Sequence, residues 1–183
     1  MGFFSKLFAK DDKEQKKPEP QKEERIFFDD DFTRFYYFAN PNINEFGYEG
    51  ELKPLNPQND YDALVVYLEA DTPETTEATK CYAMFKETMA DMGRFDYDMK
   101  RLTAAYCIKK PEYFNGKSTE QQLVDSMNIC WMGFFRNGNI EVSIDSHGEH
   151  GLYLDNAHLI LKADGSKQIE IEGFYGEKQT DTL

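Results

Sequence analysis

The sequence predicts an α+β fold: an antiparallel sheet ending in a four-stranded C-terminal meander, with about three helices inserted between the early strands and that meander. Three observations lead there. From Tyr61 to Glu69, Ala63, Val65 and Tyr67 alternate with Leu64, Val66 and Leu68. Both faces are therefore apolar, as in a central strand covered on two sides. Between Ala78 and Met92 apolar residues recur instead at helical spacing. Beyond Trp131, strand-like runs are separated by Asn137-Gly138 and by Asp164-Gly165-Ser166, both hairpin signals.

Taken in order, residues 1–25 read as a flexible charged leader. Phe3, Phe4, Leu7 and Phe8 fall on one side of a short amphipathic start, Met1–Lys10, and a nearly all-polar stretch with Pro18 and Pro20 follows. The start does not fit a secretory signal, being too short in its apolar part, nor a myristoylation site, since Lys6 stands where Ser or Thr is required. Residues 26–183 then form a single domain. Its first segment, IFFDDDFTRFYYF (26–38), supplies core aromatics around Asp29–Asp31, which mark a turn or helix start. These aspartates lack the alternating oxygen ligands and glycine of a calcium loop.

Phe46–Lys53 and Tyr61–Glu69 are the early strands. Thr72 and Pro73 suit the N-cap and first position of a helix carrying Ala78, Cys81, Tyr82, Phe85, Met89 and Met92, with Gly93 as its stop. Asp96 can cap a second helix, bearing Met99, Leu102, Ala105 and Tyr106, that ends before Pro111. Ser118 and Gln121 form a capping box for a third, with Leu123 and Met127 on its apolar side.

In the meander, a two-residue turn at Asn137-Gly138 sets Arg136 against Asn139, Phe135 against Ile140, Gly133 against Val142 and Trp131 against Ile144. Apolar matching then sets Ile144 against Leu159 and Val142 against Leu161. A three-residue turn at Asp164-Gly165-Ser166 sets Leu161 against Ile169 and Leu159 against Ile171. Trp131, Ile144, Leu159 and Ile171 all turn inward in this register.

The opposite face then holds His158 between Asp145 and Glu172, with Glu141 across from Lys162. A histidine between two carboxylates favours its protonated form. His158, Asp145 and Glu172 are the catalytic candidates. His147 and His150, in the loop near Asp145, extend them to a metal corner with His158, since two histidines and a carboxylate can hold zinc or iron. The competing reading is a ladder of cross-strand charge pairs, each contributing about 0.2–1 kcal/mol. Met132, Phe134, Ile160 and Phe174 share this face. They are either covered by the helices or the early strands, or exposed beside Glu141 and Glu170 as a binding patch.

Composition bounds the rest. A chain of 183 residues with 40% hydrophobic and 15% aromatic residues supports a full core without disulfide or metal, and no cofactor is implied. Cys81, Cys107 and Cys130 are odd in number and widely spaced, as expected of reduced, buried thiols in a cytoplasmic protein. The formal charge of −13 divides into +1 over residues 1–25 and −14 over the remainder. A domain so acidic repels phosphate backbones, which excludes nucleic acid as an expected partner and favours a basic protein surface.

FGYEGEL (46–52), the apolar strand 61–69, the paired helices and the closing run FFRNGNIEVSID…HLILKADGSKQIEIEG give the chain a resemblance to a bacterial family of unknown function, number twenty-two sixty-two. Family number two thousand and four is a near alternative. The likeness spans about residues 46–173 and implies the fold and a bacterial setting. Such proteins carry a Gly-His step where the third meander strand begins. Here that place is Glu149-His150 or Asn156-Ala157-His158, so no histidine role carries over.

Three functions follow as expectations. The leading one is a non-catalytic acidic protein-binding module, of immunity or inhibitor type. The second is an acid/base or metal-dependent enzyme using Asp145, His147, His150 and His158. The third is a peripheral membrane adaptor tethered by residues 1–10.

Overall fold

A computed structural model describes residues 26–42, 45–55, 63–73, 80–110, 114, 116–146, 154–172 and 178–183. The leader, the loop bearing His147 and His150, and Phe174 lie outside the described residues. The chain forms β1 (Phe27–Asp29), β2 (Arg34–Asn40), β3 (Glu45–Leu52) and β4 (Leu64–Glu69), then α1 (Lys80–Ala90), α2 (Met92–Cys107) and α3 (Glu120–Ser126). It closes with β5 (Met127–Phe134), β6 (Ile140–Ser146), β7 (Leu154–Leu161), β8 (Lys167–Glu172) and β9 (Lys178–Thr182). These strands make one nine-stranded sheet in chain order.

Every neighbouring pair is antiparallel except β4 and β5, which are parallel. The expectation of a purely antiparallel sheet is corrected there. The three helices lie between those strands, and such a crossover returns the chain in its starting direction. Strand β9 was not anticipated, because KQTDT has no apolar alternation; its polar character suits an exposed edge.

Helices α1 and α2 pack against β4, β5 and β7, on one face of the sheet. Across that face one row of paired positions runs Phe28, Phe35, Gly50, Val66, Met132, Val142, Leu159, Ile169 and Asp181. Phe85 of α1 meets both Phe35 and Phe134 edge-on, with ring centroids 5.3 and 5.9 Å apart. An edge-to-face pair contributes about 0.5–1.5 kcal/mol beyond its buried area.

The helix boundaries depart from expectation in three places. The break falls at Asp91 rather than Gly93, which takes no positive φ and continues α2. Asp96 caps nothing; it lies inside α2 and holds Lys100 at 2.9 Å, one turn on. The capping box belongs to Thr119 and Gln122, one residue beyond the expected pair.

Two matching clamps hold the helices over opposite edges of the sheet. On α1, Tyr82 and Lys86 both donate to Asp30 in the β1–β2 turn. Near the end of α2, Tyr106 and Lys110 both donate to Asp181 on β9. Four-residue spacing puts Tyr82 and Lys86 on the same side of α1, above one carboxylate, while Lys110, three residues past the end of α2, reaches the carboxylate that Tyr106 holds.

Both meander hairpins use one turn design. The Phe135 N–H donates to the Asn139 carbonyl and the Gly138 N–H to the Phe135 carbonyl; Lys162, Ser166 and Gly165 repeat the pattern. Each loop thus has three residues, 136–138 and 163–165, and the third is a glycine with φ of 91° or 85°. An Asn137 or Asp164 side chain accepts the N–H two residues on, which favours this form over the tighter turn. One residue more in the first loop shifts β5 against β6 by one position, so Phe134 faces Ile140 and Met132 faces Val142. The expected pairs Phe135–Ile140, Gly133–Val142 and Trp131–Ile144 are corrected. The β6–β7 and β7–β8 pairings move by two positions, setting Val142 against Leu159 and Leu159 against Ile169. An even shift keeps every side chain on its expected face.

Candidate functional site on the open face of the sheet

Among the described residues no helix packs on the second face. By register it presents Phe27, Tyr36, Glu49, Tyr67, Gly133, Glu141, Ile160, Gln168 and Thr182 in one row. The next row holds Glu51, Val65, Trp131, Ser143, His158, Glu170 and Thr180.

Trp131 reaches this face because of a bulge. The β5–β6 register breaks between Ile129 and Trp131, leaving Cys130 as the extra residue. Ile129 pairs with Ile144 and is buried, whereas Trp131 pairs with Ser143 on the other side. A bulge inverts the alternation beyond it, so Met132 and Phe134 turn under the helices, where both are fully buried. Their expected place on the face of His158 is corrected: they lie on the helix-covered face as core, and Trp131 and Phe135 stand outward instead.

The outward rings lie down on the sheet. A Cβ on Gly133 would come 2.2 Å from the Trp131 ring, and one on Gly47 would come 2.6 Å from the Tyr67 ring. Both glycines are therefore floors over which a ring spreads. Tyr67 and Trp131 are near parallel, at 18° with centroids 6.3 Å apart, and Phe38 and Phe135 border Tyr67 at 5.8 and 5.6 Å. His158 continues the pavement 6.0 Å beyond Trp131. The Tyr67 hydroxyl donates to the Phe46 carbonyl at 3.0 Å. Burial, then the charges of Glu69 and Glu45, push it up to about 12, so it stays protonated.

His158 does not sit between Asp145 and Glu172. Its neighbours in register are Ser143 and Glu170. Asp145 lies opposite Asn128, and Glu172 opposite Asn156 and Lys178. Glu141 faces Gly133 and Ile160, not Lys162. What the register does join is a chain of three: His158 Nε2 lies 2.8 Å from Glu141 Oε2, and Nδ1 lies 3.1 Å from Ser143 Oγ. A carboxylate only accepts, so the shared proton belongs on Nε2; in the neutral ring Nδ1 then accepts from the serine hydroxyl.

No described group of three or more His, Cys, Asp or Glu side chains could hold a metal. The expected metal corner depends on His147 and His150, outside the described residues. Burial pushes the Cys81 thiol up to about 11 and Cys107 up to about 12, and raises Cys130 as well. All three are protonated at neutral pH and therefore weak nucleophiles.

The face is also one-sided in charge. Glu45, Glu49 and Glu51 of β3 are exposed, and half-buried Glu141, Asp145 and Glu170 follow on β6 and β8. Within the described strands β3 to β8 the one lysine, Lys167, lies on the covered face, and there is no arginine. Lys53 and Lys162 follow β3 and β7, and on β2 Arg34 is engaged by Asp29 and lies over the Phe27 ring. At the rim Arg136 is already engaged, its N–H 2.7 Å from Glu69 and its guanidinium on Glu69 and Asp71.

The sequence held two signals for this arrangement. Buried apolar residues switch parity between Met127, Ile129 and Met132, Phe134, which requires an inserted residue. Glycines inside two strands, Gly47 and Gly133, mark a bulge or a close approach. The Ser143–His158–Glu141 chain had no local signal, because it joins two strands across a loop.

Compared with known proteins, the chain matches no family model, no curated sequence and no solved structure. No described helix is long and apolar enough to cross a membrane.

Proposed function

We propose that this chain is a non-catalytic module whose open sheet face takes a basic protein segment, as an immunity or inhibitor protein covers a basic enzyme surface. A bacterial cytoplasmic setting and the resemblance to the twenty-two sixty-two family belong to the same reading. One observation carries it: a pavement of Tyr67, Trp131, Phe135 and Ile160 stands beside Glu49, Glu51, Glu141 and Glu170, with His158, on Glu141, the one described basic side chain among them. Rings attract cations over their faces, and the carboxylates supply the counter-charge, Glu141 while also holding His158. The wider negative field of the domain speeds encounter with a basic surface.

Trp131 is the only tryptophan in the chain and sits in the middle of the face, so it reports on binding directly. Titration with an arginine-rich peptide should change its fluorescence saturably. The change should weaken in high salt and be lost in an E49Q/E141Q/E170Q variant. A signal that ignores salt, or a triple variant that binds like the wild type, removes this reading.

A second reading rests on the Ser143–His158–Glu141 chain, whose connectivity is that of a nucleophile, a base and an orienting acid. Ser143 is buried at mid-strand, where neighbouring backbone N–H groups serve the ladder rather than a developing oxyanion. The chain therefore favours a cross-strand network that fixes the histidine against Trp131. A fluorophosphonate probe should leave Ser143 unlabelled; labelling that disappears in S143A would restore the enzyme reading.

A further inference from the structure

Resting on the reading of the open face as a docking surface, we propose that its resting occupant is the amino-terminal segment of the same chain, residues 3–10. The segment would act as a tethered pseudo-ligand that a basic partner must displace.

The chemistry of the two is complementary. Residues 1–10 carry Phe3, Phe4, Leu7 and Phe8 with Lys6 and Lys10, and no acid. The face offers ring surface and Ile160 for the apolar side chains, and Glu49, Glu51, Glu141 and Glu170 for the lysines. The segment thus has the character already argued for the partner: apolar and basic at once.

The geometry permits it. The chain enters the sheet at Ile26, whose carbonyl accepts the Tyr37 N–H at 2.8 Å on the β1 side. From there Phe27, 48% exposed, and Tyr36, 38% exposed, lead along the open row toward Glu49 and Tyr67. Reaching Trp131 on β5 from β1 means crossing four strand spacings, roughly 19 Å. Residues 11–25 separate the segment from Ile26. A linker of that length spans up to about 50 Å extended and averages roughly 20 Å as a coil. The average matches the required span, the condition for the highest effective concentration, which for short tethers is on the order of millimolar. A contact too weak to hold two separate molecules then suffices.

The experiment uses the full-length chain and a full-length F3S/F4S/L7S/F8S variant, with far-UV circular dichroism to establish equal folding. Occupancy predicts Trp131 emission shifted to the red in the variant and acrylamide quenching increased about twofold or more. It also predicts arginine-peptide affinity raised several-fold, since the competitor is gone. Identical emission and quenching, with the arginine peptide still acting on both proteins, overturns the tethered occupant and leaves the docking face standing. If neither the leader substitutions nor the peptide alters Trp131, both readings fall. If the substitutions abolish sedimentation with phosphatidylglycerol vesicles and leave Trp131 unchanged, the segment is a lipid anchor and this inference is overturned.

Discussion

The two faces of this sheet are built from alternate residues of the same strands, yet they obey different rules. Under the helices, Val66, Met132, Val142, Leu159 and Ile169 form a continuous apolar row with almost no exposure. One position away, the open row sets Tyr67, Gly133, Glu141, Ile160 and Gln168 side by side. The first face excludes water by interdigitating branched side chains with helices. The second does so only in its middle, where rings lie flat over glycines, and it is edged with carboxylates. Among the described residues, that centre is kept dry by its own rings rather than by a layer of helices.

The largest expected effect comes from the covered face. Phe134→Ala should cost about 3–5 kcal/mol, because the cavity opens against Phe85 and the surrounding core cannot collapse. Trp131→Ala on the open face should cost less than about 2 kcal/mol, since the half-exposed ring loses only part of its buried area. Urea unfolding of both variants measures the contrast; equal midpoints would erase the distinction between the faces.

Next comes the glycine floor. Gly133→Ala places a methyl where the Trp131 ring lies, so the ring must lift and the pavement must part. We expect about 1–3 kcal/mol of destabilisation together with a shift of tryptophan emission. A triple variant G133A/W131A/F135A should show little further loss beyond W131A/F135A, because both rings that the methyl would meet, Trp131 at 2.2 Å and Phe135 at 2.8 Å, are then gone. A large further loss would show that the backbone, not the rings, demands glycine.

A smaller effect concerns the clamps at the two edges. Burial of Asp30 opposes its ionisation, but hydrogen bonds from Tyr82, the Phe32 N–H and Lys86 outweigh it and hold the carboxyl below its ordinary 3.8. Asp181 is likewise lowered, first by the Tyr106 hydroxyl and then by Lys110. A carboxyl depressed in the folded state adds stability above its unfolded value, and that contribution disappears as pH falls through the folded one. Stability should thus decline below about pH 4, and an D30N/D181N variant, already weaker at neutral pH, should decline less steeply. Thermal melts from pH 6 to pH 2.5 test this; parallel curves would remove the clamps from the acid response.

The smallest stability change belongs to Glu170→Gln at the margin of the pavement, within about ±0.5 kcal/mol. Its mark should appear in partner binding and salt dependence. A loss of stability above that range, with arginine-peptide binding intact, would make Glu170 a structural residue.

Much of the site was half-legible in the sequence. Tyr61–Glu69 announced a central strand covered on two sides; β4, Leu64–Glu69, is central, with Leu64, Val66 and Leu68 in the core, but among the described residues helices cover only one of its faces. Ile160, Glu141 and Glu170 were expected on the face opposite the core, and they lie there. His158 was placed on that face too, but with the wrong acids, because its neighbours depend on pairings across β6 and β8 that shifted by two positions. Met132 and Phe134 were placed outward because the hairpin loop was read one residue short and the bulge at Cys130 was not foreseen.

By itself the amino-acid order determined roughly where β3, β4, the three helices and the first four meander strands lie, which residues are apolar enough to be buried, and the excess of acid beyond residue 25. Those properties belong to single residues and their nearest neighbours. Which ring faces outward, which acid meets the histidine, and that one strand pair runs parallel were decided by the tertiary structure. The reason is the two-residue period of a strand: adding one residue to a turn or bulge reverses every side chain beyond it, and only packing against the helices selects between the two outcomes.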